Sequence, residues 1–257
     1  MKSIHLFLGL FLFCFSVSNG QISTDSIASD SLLQPKNPGL KFNYKQLIIP
    51  AALITYGIIG IESDAIKYWN SELKEEVTEN IDKKISVDDF SQYAPAAAVY
   101  ALNLAGIQGK HNLKDRSIIL ATSYMIMAGT VFSVKSMTHI QRPDGSTNNS
   151  FPSGHTATAF AGAEFLWQEY RDVSIWYGIT GYAVAAGTGF FRMYNDRHWF
   201  TDVVAGAGIG ILSTKAAYWL YPYINKKLFK SHTESKVMIS PFYNGDQGGL
   251  GLLYHFK

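Results

Sequence analysis

Cysteine is almost absent from this sequence. Of 257 residues only Cys14 carries a thiol, and it lies in an N-terminal apolar stretch that reads as removable. The mature chain then has no disulfide, no thiolate metal site and no cysteine nucleophile. Charge is scarce as well. Asp, Glu, Lys and Arg make up 16% of the chain, against about 25% in an ordinary soluble domain. The formal net charge is only +2, so charge balance points to no nucleic-acid partner. Scarcity of charge favours a membrane-associated chain or one with little exposed surface. The mean hydropathy of +0.02 is nevertheless lower than six membrane-spanning helices would produce, so composition leaves the membrane question open. No internal repeat or low-complexity segment is present.

What the chain does have is apolar runs. Residues 1–20 carry a basic start at Lys2, an apolar stretch over 4–15 and the small residues Ser18, Asn19 and Gly20, the pattern of a cleaved export signal peptide. Phe11, Leu12 and Phe13, ahead of Cys14, are too bulky for a lipoprotein cleavage site. Residues 21–45 are polar, with Pro35 and Pro38, and read as a flexible lead. Apolar runs follow at 47–61, 93–109, 117–134, 156–167, 174–191 and 203–220. They are too long and too rich in Ala and Gly for strands, so they predict six core helices in an all-α domain over 46–222. Between the first two, residues 63–86 place Glu72, Glu75, Glu76, Lys83 and Lys84 at helical spacings, a solvated helix or two. Small residues cluster at Ala183, Ala185, Ala186, Gly187 and Gly189, and again at Ala205, Gly206, Ala207, Gly208 and Gly210. Such stretches let helix backbones approach closely. In the tail, 223–257, residues 237–243 and 249–256 flank Asn244-Gly245-Asp246 as the strands of a β-hairpin would.

The few charges within the apolar part fall at the ends of its helices. Lys135 closes one run and Arg142-Pro143 follows it. Pro152-Ser153-Gly154-His155 opens the next helix. Arg192 closes the fifth run, and His198 and Asp202 open the sixth. A phosphate dianion needs several fixed positive donors; Arg offers a planar fork and Lys a point charge. A helix start adds unpaired N–H groups and the positive end of the dipole. Ser153 suits a cap, and Gly154 lets the backbone come near a ligand. At i and i+4 on one helix face, Asp202 would accept a hydrogen bond from one nitrogen of His198 and leave the other free to attack phosphorus. His155 would protonate the leaving oxygen. Each signal alone has a duller explanation: a snorkelling arginine, a structural His–Asp contact, a Pro-Ser-Gly turn. The combination carries the argument. No carboxylate cluster for Mg²⁺ or Zn²⁺ is evident, so neither metal nor other cofactor is expected.

Taken together, Lys135-x6-Arg142-Pro143, Pro152-Ser153-Gly154-His155 and Arg192-x5-His198-x3-Asp202 resemble the three-block signature of the type 2 phosphatidic acid phosphatase superfamily. That superfamily includes lipid phosphatases, bacterial acid phosphatases and vanadium-dependent haloperoxidases. The resemblance covers about residues 45–222. It implies a six-helix core, phosphate binding by Lys135, Arg142, Ser153, Gly154 and Arg192, and a general acid in His155. It also implies a phosphohistidine on His198, which Asp202 orients. Phe191 stands where the family usually has Ser, a departure that bears on substrate fit.

Charge-poor helices favour a membrane lipid phosphate as substrate: that of lipid A, undecaprenyl pyrophosphate, phosphatidylglycerol phosphate or phosphatidic acid. The alternatives are a non-specific periplasmic acid phosphatase and a non-catalytic envelope protein with this fold; a haloperoxidase would be longer. His139, Asp144, Asn148 and Asn149 are lesser candidates for a role in the site, and His111 sits in a basic polar loop. Asp196 and Arg197 read as a local salt bridge, and Trp199 as packing. Export places the protein in the cell envelope with a periplasmic site, the basic residues of 110–116 and 226–230 falling on the opposite face as the positive-inside rule requires. A conflict remains in the sequence. Six full spans with an outward site need the N-terminus inside, whereas a cleaved signal leaves it outside; either a first run of only fifteen residues that does not cross, or a periplasmic bundle resting on a membrane, would remove it.

Overall fold

In the computed structural model, residues 40, 42–79 and 84–228 are described in full, and 237–243 and 248–254 by their backbone. The expected signal peptide, most of the flexible lead and the turn at 244–246 lie outside the described residues. A 3-10 turn, Tyr44–Leu47, opens on Asn43, whose side chain accepts from the Lys45 N–H. It leads into α1 (Ile48–Glu62). The remaining helices are α2 (Asp64–Thr78), the single turn α3 (Asp88–Ser91), α4 (Ala94–Leu104), α5 (Leu113–Thr138), α6 (Gly154–Tyr170), α7 (Ile175–Tyr194) and α8 (Phe200–Leu228). Every apolar run is a helix. The charged stretch contributes α2, and α3 follows it, so eight helices occur among the described residues. The run at 93–109 stops at Leu104, because Gly106 takes a left-handed conformation (φ +89°) and turns the chain. Strands β1 (Val237–Tyr243) and β2 (Gly248–Tyr254) pair antiparallel, Val237 opposite Tyr254 and Tyr243 opposite Gly248.

Polar caps set the helix starts. Asn112 accepts from the Asp115 N–H at 2.9 Å ahead of α5. Ser153 does the same for Thr156 ahead of α6, and Ser174 for Trp176 ahead of α7. Satisfying otherwise orphaned N–H groups in this way stabilises a start by about 1 kcal/mol.

The helices alternate in direction. α1 runs towards one end of the bundle; α2 and α3 lie across that end; α4 leaves it beside α6, where Gly162 touches Ala96 and the Tyr170 hydroxyl donates to the carbonyl of Val99. α5 returns, α6 leaves, α7 returns and α8 leaves. The C-termini of α5 and α7 and the N-termini of α6 and α8 therefore meet at one end. Among the described residues, three helical segments are long and apolar enough to cross a membrane: Tyr44–Glu62, Leu113–Thr138 and Phe200–Leu228. Large apolar side chains such as Ile58, Ile59, Met125 and Phe132 are exposed along the first two, as expected of surfaces facing lipid. The chain is a membrane-associated protein.

The small residues of α8 bring it against its neighbours. A β-carbon added at Gly208 would meet the Pro50 carbonyl of α1 at 2.8 Å, and one at Gly206 would meet the Ser153 carbonyl at 2.5 Å. Neither neighbour is a flexible side chain. Gly206→Ala is therefore expected to strain the α6–α8 contact by about 1–3 kcal/mol, visible as a lowered melting temperature of the detergent-purified protein; an unchanged melting temperature would show that the helices have room to part.

Candidate active site

The converging helix ends bring the three sequence blocks to one place. His198 is not on α8, as the helix-face reading required, but in the turn that precedes it. The Arg192 carbonyl at the end of α7 accepts the N–H groups of Arg197 (3.0 Å) and His198 (3.3 Å), and Asp196 takes a left-handed conformation (φ 58°) to close the turn. This turn explains the five-residue interval between the arginine and the histidine. Asp202 lies in the first turn of α8, and its side chain folds back over the helix start. Its Oδ2 accepts from the Trp199 N–H at 3.0 Å and lies 3.3 Å from His198 Nδ1. The expected pair forms, then, with Asp202 bridging a helix start.

Both groups are almost completely buried. Burial pushes the His198 imidazole down to about 4; the hydrogen bond and charge of Asp202 oppose the shift, while Lys135 and Arg192 reinforce it. The ring is thus neutral across the ordinary pH range. The main chain locks α6 to the pair, since the Ser153 N–H donates to the Asp202 carbonyl at 3.0 Å. Ser153 is buried, and its hydroxyl is 2.8 Å from that of Thr156. Among the described residues, a β-carbon at Gly154 would meet only Val131 Cγ1, at 3.8 Å.

Three cations surround this start and lie close enough to influence one another. Lys135, in the last turn of α5, donates to the carbonyls of Asn149 and Ser150. Arg142 donates through Nε to Asn149 Oδ1 at 3.0 Å. Arg192 is buried; its Nη1 donates to Asp88 Oδ2 at 2.5 Å, and its Nε has no partner among the described residues although it is shielded from solvent. An unsatisfied buried donor on a guanidinium is costly, and an anion would satisfy it.

Three features escaped the sequence reading. Ser150 places its hydroxyl 2.5 Å from Asp202 Oδ2. Asn70 of α2 hydrogen-bonds Thr201 at 3.0 Å. And α3 places Asp88 and Asp89 beside His155, with carboxylate and imidazole atoms all within 4.8 Å of one another. The expectation that no carboxylate cluster exists is corrected here: Asp88 and Asp89 are neighbours in sequence, but His155 lies 66 positions beyond Asp89 and meets them only because α3 folds across the bundle end. Their partners are the protein's own. Asp88 binds Arg192 and Asn195, and Asp89 lies 3.0 Å from His155 Nε2. Burial and the charge of Arg192 lower the His155 pKa below its usual value, against the pull of Asp89. A guanidinium tied to the cluster disfavours a metal cation in the same place. Ser150 lies two residues before Pro152, where a buried polar residue in a loop is the kind of signal that could have been weighed.

The lesser candidates separate. Asn149 touches both Lys135 and Arg142. Asp144 pairs with Arg197 at 3.1 Å and Asp196 with Lys74 at 3.7 Å, in place of the expected local Asp196–Arg197 bridge. Trp199 packs under the Lys74 ammonium and donates from its indole to the Gln141 carbonyl. Asn148 is exposed, and His139 is an exposed left-handed cap of α5. His111 is buried at the other end of the bundle, 2.7 Å from Glu169. Phe191 stacks edge-on with Phe190 and Tyr194.

Residues 117–226 match the family model described as the PAP2 superfamily. A stretch of 135 residues is 40% identical to the lipid A 1-phosphatase of Porphyromonas gingivalis; it makes up 52% of this chain and 30% of that relative, so the chain spans less than a third of the relative's length. Two solved structures are similar. Aquifex aeolicus LpxE is 24% identical with a TM-score of 0.45, over 58% of this chain and 94% of its own. The transmembrane PAP2-type phosphatidylglycerolphosphate phosphatase of Bacillus subtilis is 18% identical with a TM-score of 0.43, over 70% of this chain and 97% of its own.

The neutral buried imidazole makes a stability prediction. His198 has a folded-state pKa near 4 against 6.5 when unfolded. Protons therefore bind the unfolded chain preferentially, and this stabilising contribution, complete above pH 6.5, is lost as pH falls towards 4. The melting temperature of the wild type is expected to drop more steeply between pH 7 and pH 4.5 than that of His198→Asn; equal slopes would contradict the assignment.

Proposed function

Since residues 117–226 match the PAP2 superfamily, we propose that the chain is a metal-independent phosphatase of that superfamily, acting on a membrane lipid phosphate through a phosphohistidine on His198. The observation that carries this reading is the neutral, buried His198, its Nδ1 facing Asp202, set among three cations of which one has a buried donor without a partner among the described residues. With Nδ1 protonated towards the carboxylate, Nε2 retains its lone pair and attacks phosphorus. Lys135, Arg142 and Arg192, with the N–H groups at the start of α6, take up charge on the transferring phosphoryl oxygens; such preorganised electrostatics is the largest single source of rate enhancement in many enzymes. His155 donates a proton to the departing oxygen. Water then attacks the phosphohistidine, with His155 now accepting a proton, and inorganic phosphate leaves.

Lipid A phosphate is the first substrate to test, because a 135-residue stretch is 40% identical to a lipid A 1-phosphatase. The exposed apolar helices favour a substrate presented by a bilayer over a soluble ester. The site faces the outside of the membrane: Lys226 and Lys227 close α8 at the far end, where the positive-inside rule puts cytoplasmic residues. Because α1 starts at that same far end, an outward site in a fully spanning bundle requires the lead into α1 to lie inside, which favours retention of residues 1–20 over their removal.

Phosphate release by the purified chain, assayed on lipid A, undecaprenyl pyrophosphate, phosphatidylglycerol phosphate, phosphatidic acid and a soluble sugar phosphate, is expected to favour a lipid and to be insensitive to EDTA. His198→Ala should lower kcat by roughly four orders of magnitude, and His155→Ala by about 10²–10⁴-fold. EDTA-sensitive activity surviving in His198→Ala would overturn the mechanism, and preference for the soluble ester would favour an acid phosphatase. For topology, the scarcity of cysteine is useful. In a Cys14→Ser background, Ser146→Cys should react with a membrane-impermeant maleimide in intact spheroplasts and Gln108→Cys only after lysis; the reverse pattern would turn the site inward.

A further inference from the structure

Ser150 is completely buried, yet its hydroxyl has no part in the chemistry above. Its Oγ lies 2.5 Å from Asp202 Oδ2 and 3.4 Å from His198 Nδ1. A hydroxyl has one proton to give and two lone pairs to offer. An ionised carboxylate has only lone pairs, so the Ser150 proton goes to Asp202. A hydroxyl lone pair is then free to face His198 Nδ1, which favours a proton on that nitrogen. The main chain of the same residue reaches two other parts of the site. Its carbonyl accepts from Lys135 Nζ at 3.1 Å, and its N–H donates to the Ile140 carbonyl at 2.8 Å.

We propose that Ser150 is a positioning residue for phosphoryl transfer: its hydroxyl, shared between Asp202 and His198, holds the imidazole in the Nδ1–H tautomer, while its carbonyl sets Lys135 beside the same ring. The proposal rests on His198 being the nucleophile. It answers a geometric question left by the pair alone. At 3.3 Å the His198–Asp202 contact is long for a hydrogen bond to a charged acceptor, which is usually about 2.7–2.9 Å, and Asp202 Oδ2 is shared with the Trp199 N–H. A loosely held ring samples both tautomers, and the one protonated on Nε2 cannot attack. A second polar group at Nδ1 restores the selection. Because Ser150 sits on the segment between the first and second blocks, it also couples the Lys135 cation to the orientation of the nucleophile.

The test uses the full-length chain in detergent with ¹⁵N-labelled histidine. In the wild type at neutral pH, the His198 ring, identified by its loss in His198→Gln, is expected to show a protonated Nδ1 and an unprotonated Nε2. Ser150→Ala should show averaging between tautomers and a kcat about ten- to a hundredfold lower, the size of a lost hydrogen bond to a charged group, with KM changed less than about threefold. The rate of phosphohistidine formation in rapid-quench experiments should fall in parallel. Ser150→Thr, which keeps the hydroxyl, should recover both the tautomer signature and most of kcat. Should its extra methyl prevent folding, Ser150→Cys, of similar size but a weak donor, should behave as Ser150→Ala does. A folded Ser150→Ala with the wild-type ring spectrum, or a defect confined to KM, would overturn the proposal while leaving the nucleophile in place. Absence of phosphohistidine in the wild type would overturn the nucleophile reading, and this proposal with it.

Discussion

Asp202 is a carboxylate buried at the point where two helices start, and the rest of the site is arranged around its needs. A buried charge is tolerated only when it is well supplied with donors or opposite charges. Asp202 has the Trp199 N–H, the Ser150 hydroxyl and the His198 ring around one oxygen, and its backbone carbonyl receives the Ser153 N–H. Four segments are therefore tied to a single residue: the turn after α7, the loop before α6, the start of α6 and the start of α8. Moving any of them leaves the carboxylate short of a partner. This gives the site rigidity without a disulfide.

That arrangement depends on how closely α6 and α8 approach. Gly206 allows the Ser153 carbonyl to lie where a side chain would otherwise stand, and Gly57 of α1 is pressed in the same way against Ala205 on the other side of α8. In a hydrocarbon surrounding, burial of apolar surface drives helices together weakly, and close backbone packing through small residues takes over. The small-residue stripe that holds the bundle is thus also what sets the His198–Asp202 pair against the start of α6.

The cations follow a different logic. Lys135 and Arg142 are half-buried and lean on the carbonyl and amide oxygens of 149–150. Arg192 is buried and is balanced by Asp88 from α3, with Asn195 bracing the carboxylate. Without Asp88 a charged guanidinium would be sequestered with little to offset its desolvation. The short helix that follows the solvated, charged stretch thus supplies part of the site's electrostatic balance, and from within that stretch Lys74 of α2 braces the Pro143 carbonyl and Asp196 nearby.

The sequence alone determined the helical class, the location of each long helix and the gathering of Lys135, Arg142, Ser153, Gly154, His155, Arg192, His198 and Asp202 near helix ends. It could do so because these are local properties: a helix is written in the length and composition of its run, and a helix end in the caps and charges beside it. Even the His198–Asp202 contact was legible, although its cause was misread, since a four-residue spacing serves a helix face and a back-folded cap equally well. Only the tertiary structure decided that Asp88 meets Arg192, that Asp89 meets His155, that Ser150 meets Asp202, and that Arg197 turns to Asp144 and away from its sequence neighbour. These pairs are separated by 104, 66, 52 and 53 positions. No local periodicity encodes them. They follow from how far α6 and α8 can close and from where the short α3 comes to rest across the end of the bundle.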